Sequence, residues 1–385
     1  MLKVLMLSSD RNIFKENSPA RKRMAEYGKI FEELHIVVLN KRKVGSPGEK
    51  HQSLGNVFLH PTNSPGRWFF VFDAIVTGAG IIRGWKLGVD ECAITSQDPF
   101  EMGLAGYLLK RKFNLPLQLQ VHTDFLSPFF RRESFLNKIR VLLAKFLLPR
   151  ADGIRVVSER IKKSLEALDA ENKMPEITVL PIFVDIEKIR AEEKSVNLHE
   201  KYHGHDFIIL MASRLTREKN VGAAIEAFDK IRHGAFSVSK PLLLIVGEGP
   251  EMKNLQLITH NLQLERDVVF EPWTEDLIPY YKSADLFLMT SNYEGYGLAA
   301  VEALAADLPV IMTDVGVAGE VIIDGSSGMV ASSDNLGDKI VEFLRDRRVA
   351  EKFRQNSRKL FGKFPTMEKY LRLYRESLEK LLLLK

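Results

Sequence analysis

Cysteine is almost missing from this chain: its 385 residues include one, Cys92. That excludes an internal disulfide and a cysteine-built zinc site, and it suits a reducing, cytoplasmic compartment. A buried small hydrophobe is the first expectation for such a lone thiol. Long apolar runs are missing too. No stretch approaches the ~20 apolar residues of a membrane span, and residues 1–7 are too short for a secretory leader and read as a first buried strand. Neither the dinucleotide fingerprint GxGxxG nor the P-loop GxxxxGK[ST] occurs. A nucleic-acid-binding module is absent as well, and a net charge of +5 is too small to argue for one.

What is present is a globular composition, 45% hydrophobic and 27% charged, in a chain long enough for two domains with full cores. The charge is uneven, about +8 on residues 1–185 and about −3 on the rest, which favours an anionic partner surface for the first half. Short apolar runs at 3–9, 35–39, 92–95, 117–121 and 153–157 read as buried strands. Helical patterns at 21–31, 69–82, 101–113 and 135–148 alternate with them, and 40–55 is a polar surface connection. After an apolar hinge at 179–185 and a charge-rich helix at 186–202, a second alternating series begins. Strands at 206–212, 241–246, 268–270, 285–290 and 309–313 are spaced by helices at 221–232, 251–262, 276–283, 298–306 and 334–345. An amphipathic helix, 367–384, closes the series. The fold class is therefore α/β, with two doubly wound Rossmann-like domains facing a central cleft. The first domain covers 1–185, with 365–385 crossing back to it, and the second covers 186–364.

Segment 127–150 alternates Phe and Leu with Arg and Lys. It reads either as a face for an anionic membrane surface or as a packed helix with a solvated basic side. In the second half, three loops leave strands and enter helices: Ser213 to Asn220 with Arg214 and Lys219, the Gly247-Glu248-Gly249-Pro250 turn, and Asn292 to Glu302. Free amides at a helix start, together with cations, suit a diphosphate. In the third loop Gly295, Tyr296, Gly297 and Leu298 form the junction. Glu294 stands ahead of the helix and Glu302 about two turns along it. Singly, each glycine is an ordinary turn residue and each cation an ordinary surface charge. In this order they support one another.

These residues resemble the retaining glycosyltransferases of family 4 (the group 1 family), which have the GT-B fold. The likeness runs from about Val156 to Tyr374, and its most specific element is Glu294-Gly-Tyr-Gly-Leu-x-x-x-Glu302-Ala. Ser213-Arg214-Leu215 with Lys219, Gly247-Glu248-Gly249-Pro250, Ser283-Ala284-Asp285 and Asp314 to Ile322 also match. The resemblance implies transfer of a sugar from a nucleotide-diphosphate sugar donor to a glycan, lipid-linked or small-molecule acceptor. Glu294 would hold the donor sugar hydroxyls and Glu302 the ribose. Amides at 296–298 would hold the distal phosphate or sugar, Arg214 and Lys219 the diphosphate, and Trp273 the base. His122, with Asp124 two residues on, matches the family's His-containing loop, a contact for the reacting sugar or acceptor. The donor phosphate would act as base, so no protein nucleophile is needed; no Asp-x-Asp motif occurs in the loops after the strands, so no metal is expected, and no cofactor. Asn220 replaces a usual Gly. The glycine-rich loop the family often carries after its first strand is replaced by residues 17–23, where Ser18 and Arg21 become the acceptor-side expectations. A cytoplasmic enzyme, peripheral on the inner membrane face if 127–150 binds lipid, is the reading. The rivals are a non-hydrolysing sugar-nucleotide epimerase and a catalytically silent nucleotide-sugar-binding scaffold.

Overall fold

The structure is a computed structural model and describes residues 2–42, 48–85, 91–169, 172–233 and 240–383. Residues 43–47 of the expected 40–55 connection and residue 384 of the last helix lie outside them. The chain divides into two compact units, Met1–Pro181 with Pro365–Lys385, and Ile182–Phe364. Among the described residues no helix is long and apolar enough to cross a membrane.

Unit 1 holds β1 (Lys3–Ser8), β2 (Glu33–Val38), β3 (Gln52–Leu54), β4 (Val57–Pro61), β5 (Cys92–Ser96), β6 (Leu117–Val121), β7 (Gly153–Val156) and β8 (Ile177–Val179). They form one sheet in the order β3-β4-β2-β1-β5-β6-β7-β8, parallel except at the β3–β4 edge. Strands β1, β5, β6 and β7 are buried along their whole length, as expected of apolar runs covered on both faces. Strands β3 and β4 are a correction to the sequence reading. They form a tight hairpin over Gly55 (φ +61), and the Asn56 amide donates to the carbonyls of Gly28 and Phe31 at 2.9 and 2.8 Å. Three residues in β3 are too few to show a period. Cys92 is buried, as a small hydrophobe would be.

Right-handed connections put the helices Phe70–Gly84, Glu101–Phe113 and Phe135–Leu147 on one face of this sheet and Pro19–Gly28 on the other. Met367–Leu382 joins the Pro19–Gly28 side, where the Tyr27 and Tyr370 hydroxyls lie 3.0 Å apart. What it covers there is a charge. Arg155, on β7, is 2% exposed. Its guanidinium donates to the Tyr370 hydroxyl (2.9 Å), the Gln120 carbonyl oxygen (3.2 Å) and Leu180 O (3.3 Å), and lies 4.7 Å from the Tyr374 ring centre. Every group in this set is neutral. Burial pushes the hydroxyls of Tyr27 and Tyr374 above their usual range, so they meet the guanidinium as dipoles. Gln118, next to this cluster, donates to Ser377 Oγ at 3.1 Å.

Unit 2 holds β9 (Phe207–Ala212), β10 (Pro241–Val246), β11 (Val268–Glu271), β12 (Leu286–Met289), β13 (Val310–Thr313) and β14 (Met329–Ala331), ordered β11-β10-β9-β12-β13-β14 and all parallel. Its core gathers Ile209, Ile225, Phe228, Leu243, Leu288 and Phe343. The expected helix over 186–202 is instead two short ones, Ile186–Ala191 and Leu198–Lys201. Asp185 and Asn197 each cap a new start by accepting an amide three residues on.

The Arg155 arrangement makes a prediction. Tyr370→Phe removes a hydroxyl that accepts from a buried cation, so urea unfolding should show a loss of about 2 kcal/mol, the scale of a charged hydrogen bond. A loss within experimental error would mean that Arg155 does not need that oxygen.

Candidate functional site

The unit 2 sheet reverses direction at β9: β10 and β11 extend one way, β12, β13 and β14 the other. Loops leaving the C-terminal ends of the two strands at such a reversal part and leave a crevice for a ligand. Here those loops are 213–220, after β9, and 290–297, after β12. Thr290 Oγ1 lies 3.0 Å from the carbonyl oxygens of both Lys219 and Asn220, and the Asn292 amide donates to Glu218 O at 2.8 Å. Across this junction Lys219 Nζ meets Glu294 Oε1 at 2.5 Å, and Ser291 Oγ donates to the same oxygen at 2.8 Å. The two charged side chains are only 16% and 13% exposed, so solvent and salt screen their attraction less than that of a surface pair. Asn220, where the resemblance leads one to expect Gly, adopts φ +48; Asn tolerates this left-handed region, which preserves the backbone path.

The glycines of the second loop have a steric cause beyond turn formation. A Cβ on Gly247 would lie 1.9 Å from Ser213 O, and one on Gly249 would lie 2.2 Å from Leu215 O. The Leu215 amide donates to Glu248 O at 2.8 Å, which locks the 213–220 loop against this turn. The third loop is held similarly. Gly316 (φ +53) lets the following segment close on Tyr296, whose carbonyl accepts from the Val317 amide at 2.9 Å. Tyr296 is 3% exposed, so what it offers a ligand is backbone. Gly297 (φ +93) caps the helix Leu298–Ala305, its carbonyl accepting from the Ala300 and Val301 amides at 3.0 and 3.3 Å, so the amides that precede these bonds are those of Leu298 and Ala299.

Glu302 lies on that helix. Burial raises its carboxyl to about 7, opposed in part by the Tyr281 hydroxyl donating at 3.3 Å. Arg214 is largely exposed and pairs with Glu218 at 3.2 Å. Trp273 is half-exposed, beyond β11. Glu271 beside it is engaged by Lys201 (2.7 Å), Tyr280 (2.7 Å) and Tyr202. Burial pushes its carboxyl up, and these donors more than reverse that. The structure thus joins Lys219 to Glu294 and packs Ser213, Gly247 and Gly249 together. It gives Arg214 and Glu302 separate partners, Glu218 and Tyr281, and leaves Trp273 half-exposed. Thr290, Ser291 and Tyr281 were missed by sequence reasoning, and only their places beside β12 and the 298–305 helix could have drawn attention to them. Among the described residues no group of three or more His, Cys, Asp or Glu side chains could hold a metal ion.

In unit 1 His122 follows β6, and its Nε2 lies 2.9 Å from Gln120 Oε1. Arg155 donates to that same oxygen, which fixes the amide orientation and makes His122 Nε2 the donor. Desolvation, then the charges of Arg155 and Arg23, hold the imidazole down to about 3, so it is neutral. Burial raises the Asp124 carboxyl, opposed by Arg160 and by the amides of Leu126 and Ser127. Ser18 is a correction. Its hydroxyl donates to Asn12 O (2.6 Å) and accepts from the Arg21 amide (3.1 Å), which makes it the cap of Pro19–Gly28. Arg21 reaches Ile13 O and Gln52 Oε1, at 3.3 and 2.5 Å.

Residues 195–360 match the family model described as glycosyl transferases group 1. The chain is 28% identical over 289 residues to the alpha-monoglucosyldiacylglycerol synthase of Streptococcus pneumoniae, covering 70% of this chain and 64% of that protein. It is 27% identical over 241 residues to the N-acetyl-alpha-D-glucosaminyl L-malate synthase of Bacillus anthracis, covering 60% and 61%. The chain therefore spans less than two thirds of these relatives' lengths. Among solved structures, the sucrose-phosphate synthase of Thermosynechococcus elongatus superposes with a TM-score of 0.80 at 16% identity, covering 100% of both chains. Anabaena HepE, in complex with UDP and glucose, gives 0.74 at 17% identity, covering 99% and 100%. These likenesses show the fold: two parallel-sheet Rossmann-like domains of the GT-B class.

The backbone contacts at Gly247 and Gly249 carry their own test. Gly249→Ala should destabilise unit 2 by more than ~2 kcal/mol and abolish ligand binding at the site, because backbone must move to admit the methyl group. Gly204→Ala, where a Cβ meets nothing within 4 Å, is the control. Equal melting temperatures for both variants would show that the loops are not so tightly packed.

Proposed function

We propose, from the premise that the chain belongs to the glycosyl transferases group 1 through residues 195–360, that it is a retaining glycosyltransferase. It moves a sugar from a nucleoside-diphosphate sugar to an acceptor hydroxyl, without a metal. The observation that carries this reading is the Lys219–Glu294 pair at the reversal of the unit 2 sheet, beside the open start of the 298–305 helix. A donor brings its own negative charge to Lys219 and its hydroxyls to Glu294. The existing ion pair is then exchanged for two contacts of the same chemistry.

The reaction develops negative charge on the departing diphosphate and positive character on the anomeric carbon. Lys219, Arg214 and the amides of Leu298 and Ala299 stabilise the first. Removal of one such donor typically lowers the rate ~10²–10³-fold. The acceptor attacks the face the diphosphate leaves, and a phosphate oxygen takes its proton, so Glu294 is a binding group and not a nucleophile. His122, in unit 1, is neutral and can accept a hydrogen bond at Nδ1. Glu302 holds the ribose, and the base lies by Trp273. HepE, solved with UDP and glucose, lends support to the donor class. The named relatives differ in acceptor, which leaves glycan, lipid-linked and small-molecule classes within the proposal.

A panel of UDP-, GDP- and ADP-sugars tests this by calorimetry, followed by release of nucleoside diphosphate on addition of acceptor. One donor class should bind, with release only when acceptor is present. In Glu294→Ala the preference for the sugar nucleotide over its bare diphosphate should fall at least ~10-fold, since a charged hydrogen bond to sugar is lost while Lys219 is freed for phosphate. An unchanged preference refutes the donor-sugar role, and tight binding without turnover supports a silent scaffold.

Glu302 supplies a pH signature. Its folded carboxyl, raised to about 7, lies above its unfolded value. The stability it contributes is present at low pH and is lost as pH rises from the ordinary carboxylate range through about 7. Ribose hydroxyls donate to the ionised form. Affinity for a sugar nucleotide, whose diester phosphates do not titrate here, should therefore strengthen between pH 5.5 and 7.5, by up to ~10-fold per unit. Glu302→Gln should flatten the profile. A flat wild-type profile, or a slope that survives the substitution, removes Glu302 from the ribose.

A further inference from the structure

The three-helix layer of unit 1 is apolar on its outward side, where a helix facing water normally presents polar residues. Helix Phe135–Leu147 buries Val141, Ala144 and Leu147. On its other side Phe135, Ile139, Leu142 and Phe146 follow one another at helical spacing and remain 45–77% exposed. A second stripe, unread in the sequence, belongs to Phe70–Gly84 and the turn before it. Trp68, Phe72 and Val76 lie a turn apart and are 97%, 64% and 55% exposed. Helix Glu101–Phe113 packs against both neighbours and adds exposed Leu108 between the stripes. Three helices side by side make a face roughly 20 Å across at ordinary interaxial distances. The two outer helices follow β4 and β6, so their aromatic-rich starts lie at the sheet edge that carries His122.

The charge on this layer is mostly of one sign. Segments 67–84, 101–113 and 128–150 contain eleven Lys and Arg residues and three Asp and Glu residues. Arg131, Arg132, Lys138 and Lys145 are exposed among the apolar side chains. Arg140 is withdrawn from this set. It grips Glu101 with two nitrogens at 2.7–3.1 Å and lies 5.8 Å from the Phe100 ring centre, tying two helices of the layer together.

We propose that this face docks unit 1 on an anionic lipid bilayer. The aromatic and aliphatic stripes dip into the boundary between headgroups and acyl chains, and the bases meet headgroup phosphates. A second copy of the chain is a poor occupant, because it would bring a second strongly basic face against the first. The breadth of the apolar surface across three helices suits a plane of lipid, and negative headgroups supply the counter-charge that the layer lacks. The proposal stands on unit 1 alone and does not rest on the donor-site reading of unit 2.

Vesicle flotation of the full chain tests it, with phosphatidylcholine vesicles and with phosphatidylcholine–phosphatidylglycerol vesicles. The protein should float with the anionic vesicles, at least about tenfold less with neutral ones, and be released by high salt. One variant combines Arg131→Ser, Arg132→Ser, Lys138→Ser and Lys145→Ser; another combines Trp68→Ser and Leu142→Ser. Each should lose most of the floated fraction while keeping its circular dichroism and its sugar-nucleotide affinity. The proposal is overturned if the wild-type chain stays unbound with both vesicles, or if both variants float like it. It is equally overturned if the chain is a dimer that Trp68→Ser with Leu142→Ser dissociates and no flotation occurs.

Discussion

Two carbonyl oxygens, those of Ser213 and Leu215, lie where a side-chain carbon on residues 247 and 249 would have to be. The rest of the unit 2 site depends on that backbone-to-backbone contact. Held from one side by the glycine turn and from the other by Thr290 and Asn292, the 213–220 loop has one path. Lys219 leaves it toward Glu294 because no slack remains to send it elsewhere. The site's chemistry is therefore set by packing of main chain, and the charged side chains are placed last.

The two units handle buried charge in opposite ways. In unit 2 a cation and a carboxylate face each other at the reversal of the sheet, each the direct partner of the other. In unit 1 the cation of Arg155 is surrounded by neutral oxygens and a tyrosine ring, an arrangement with no partner to exchange. Swapping a buried ion for apolar groups is often neutral, whereas stripping one partner from it is expensive. The first arrangement suits binding, and the second suits holding a helix and, through Gln120, one tautomer of His122.

Much of the architecture was legible because short apolar runs alternate with helical periods, and β1, β5, β6, β9, β10 and β12 fall where those runs do. Elements of three residues, such as β3 and β14, carry no period to detect. The Glu294-to-Glu302 helix start could be read locally, since its parts are consecutive. The Lys219–Glu294 contact could not, because the residues are 75 apart in sequence and meet only when the sheet reverses. Gly247 and Gly249 were visible as glycines, but the reason for them is a neighbour 34 residues earlier in the chain. Ser18 was misread for want of local reasoning: a serine followed by proline is a helix start before it is a ligand contact. Arg155 interrupts an apolar strand, and nothing adjacent in sequence announces that its partners are tyrosines more than 200 residues away.

The closing of Met367–Leu382 over Arg155, Gln118 and Gln120 also bears on the order in which the molecule can be made. Unit 2 is contiguous, and all of it is synthesised before residues 365–385. Unit 1 is begun first, yet it lacks the helix that covers its buried guanidinium until unit 2 has been completed. On the ribosome, the domain whose synthesis starts second is the one that can finish folding first. Until then the earlier domain carries an uncovered cation and the bare side of its sheet, which is when it is most in need of protection.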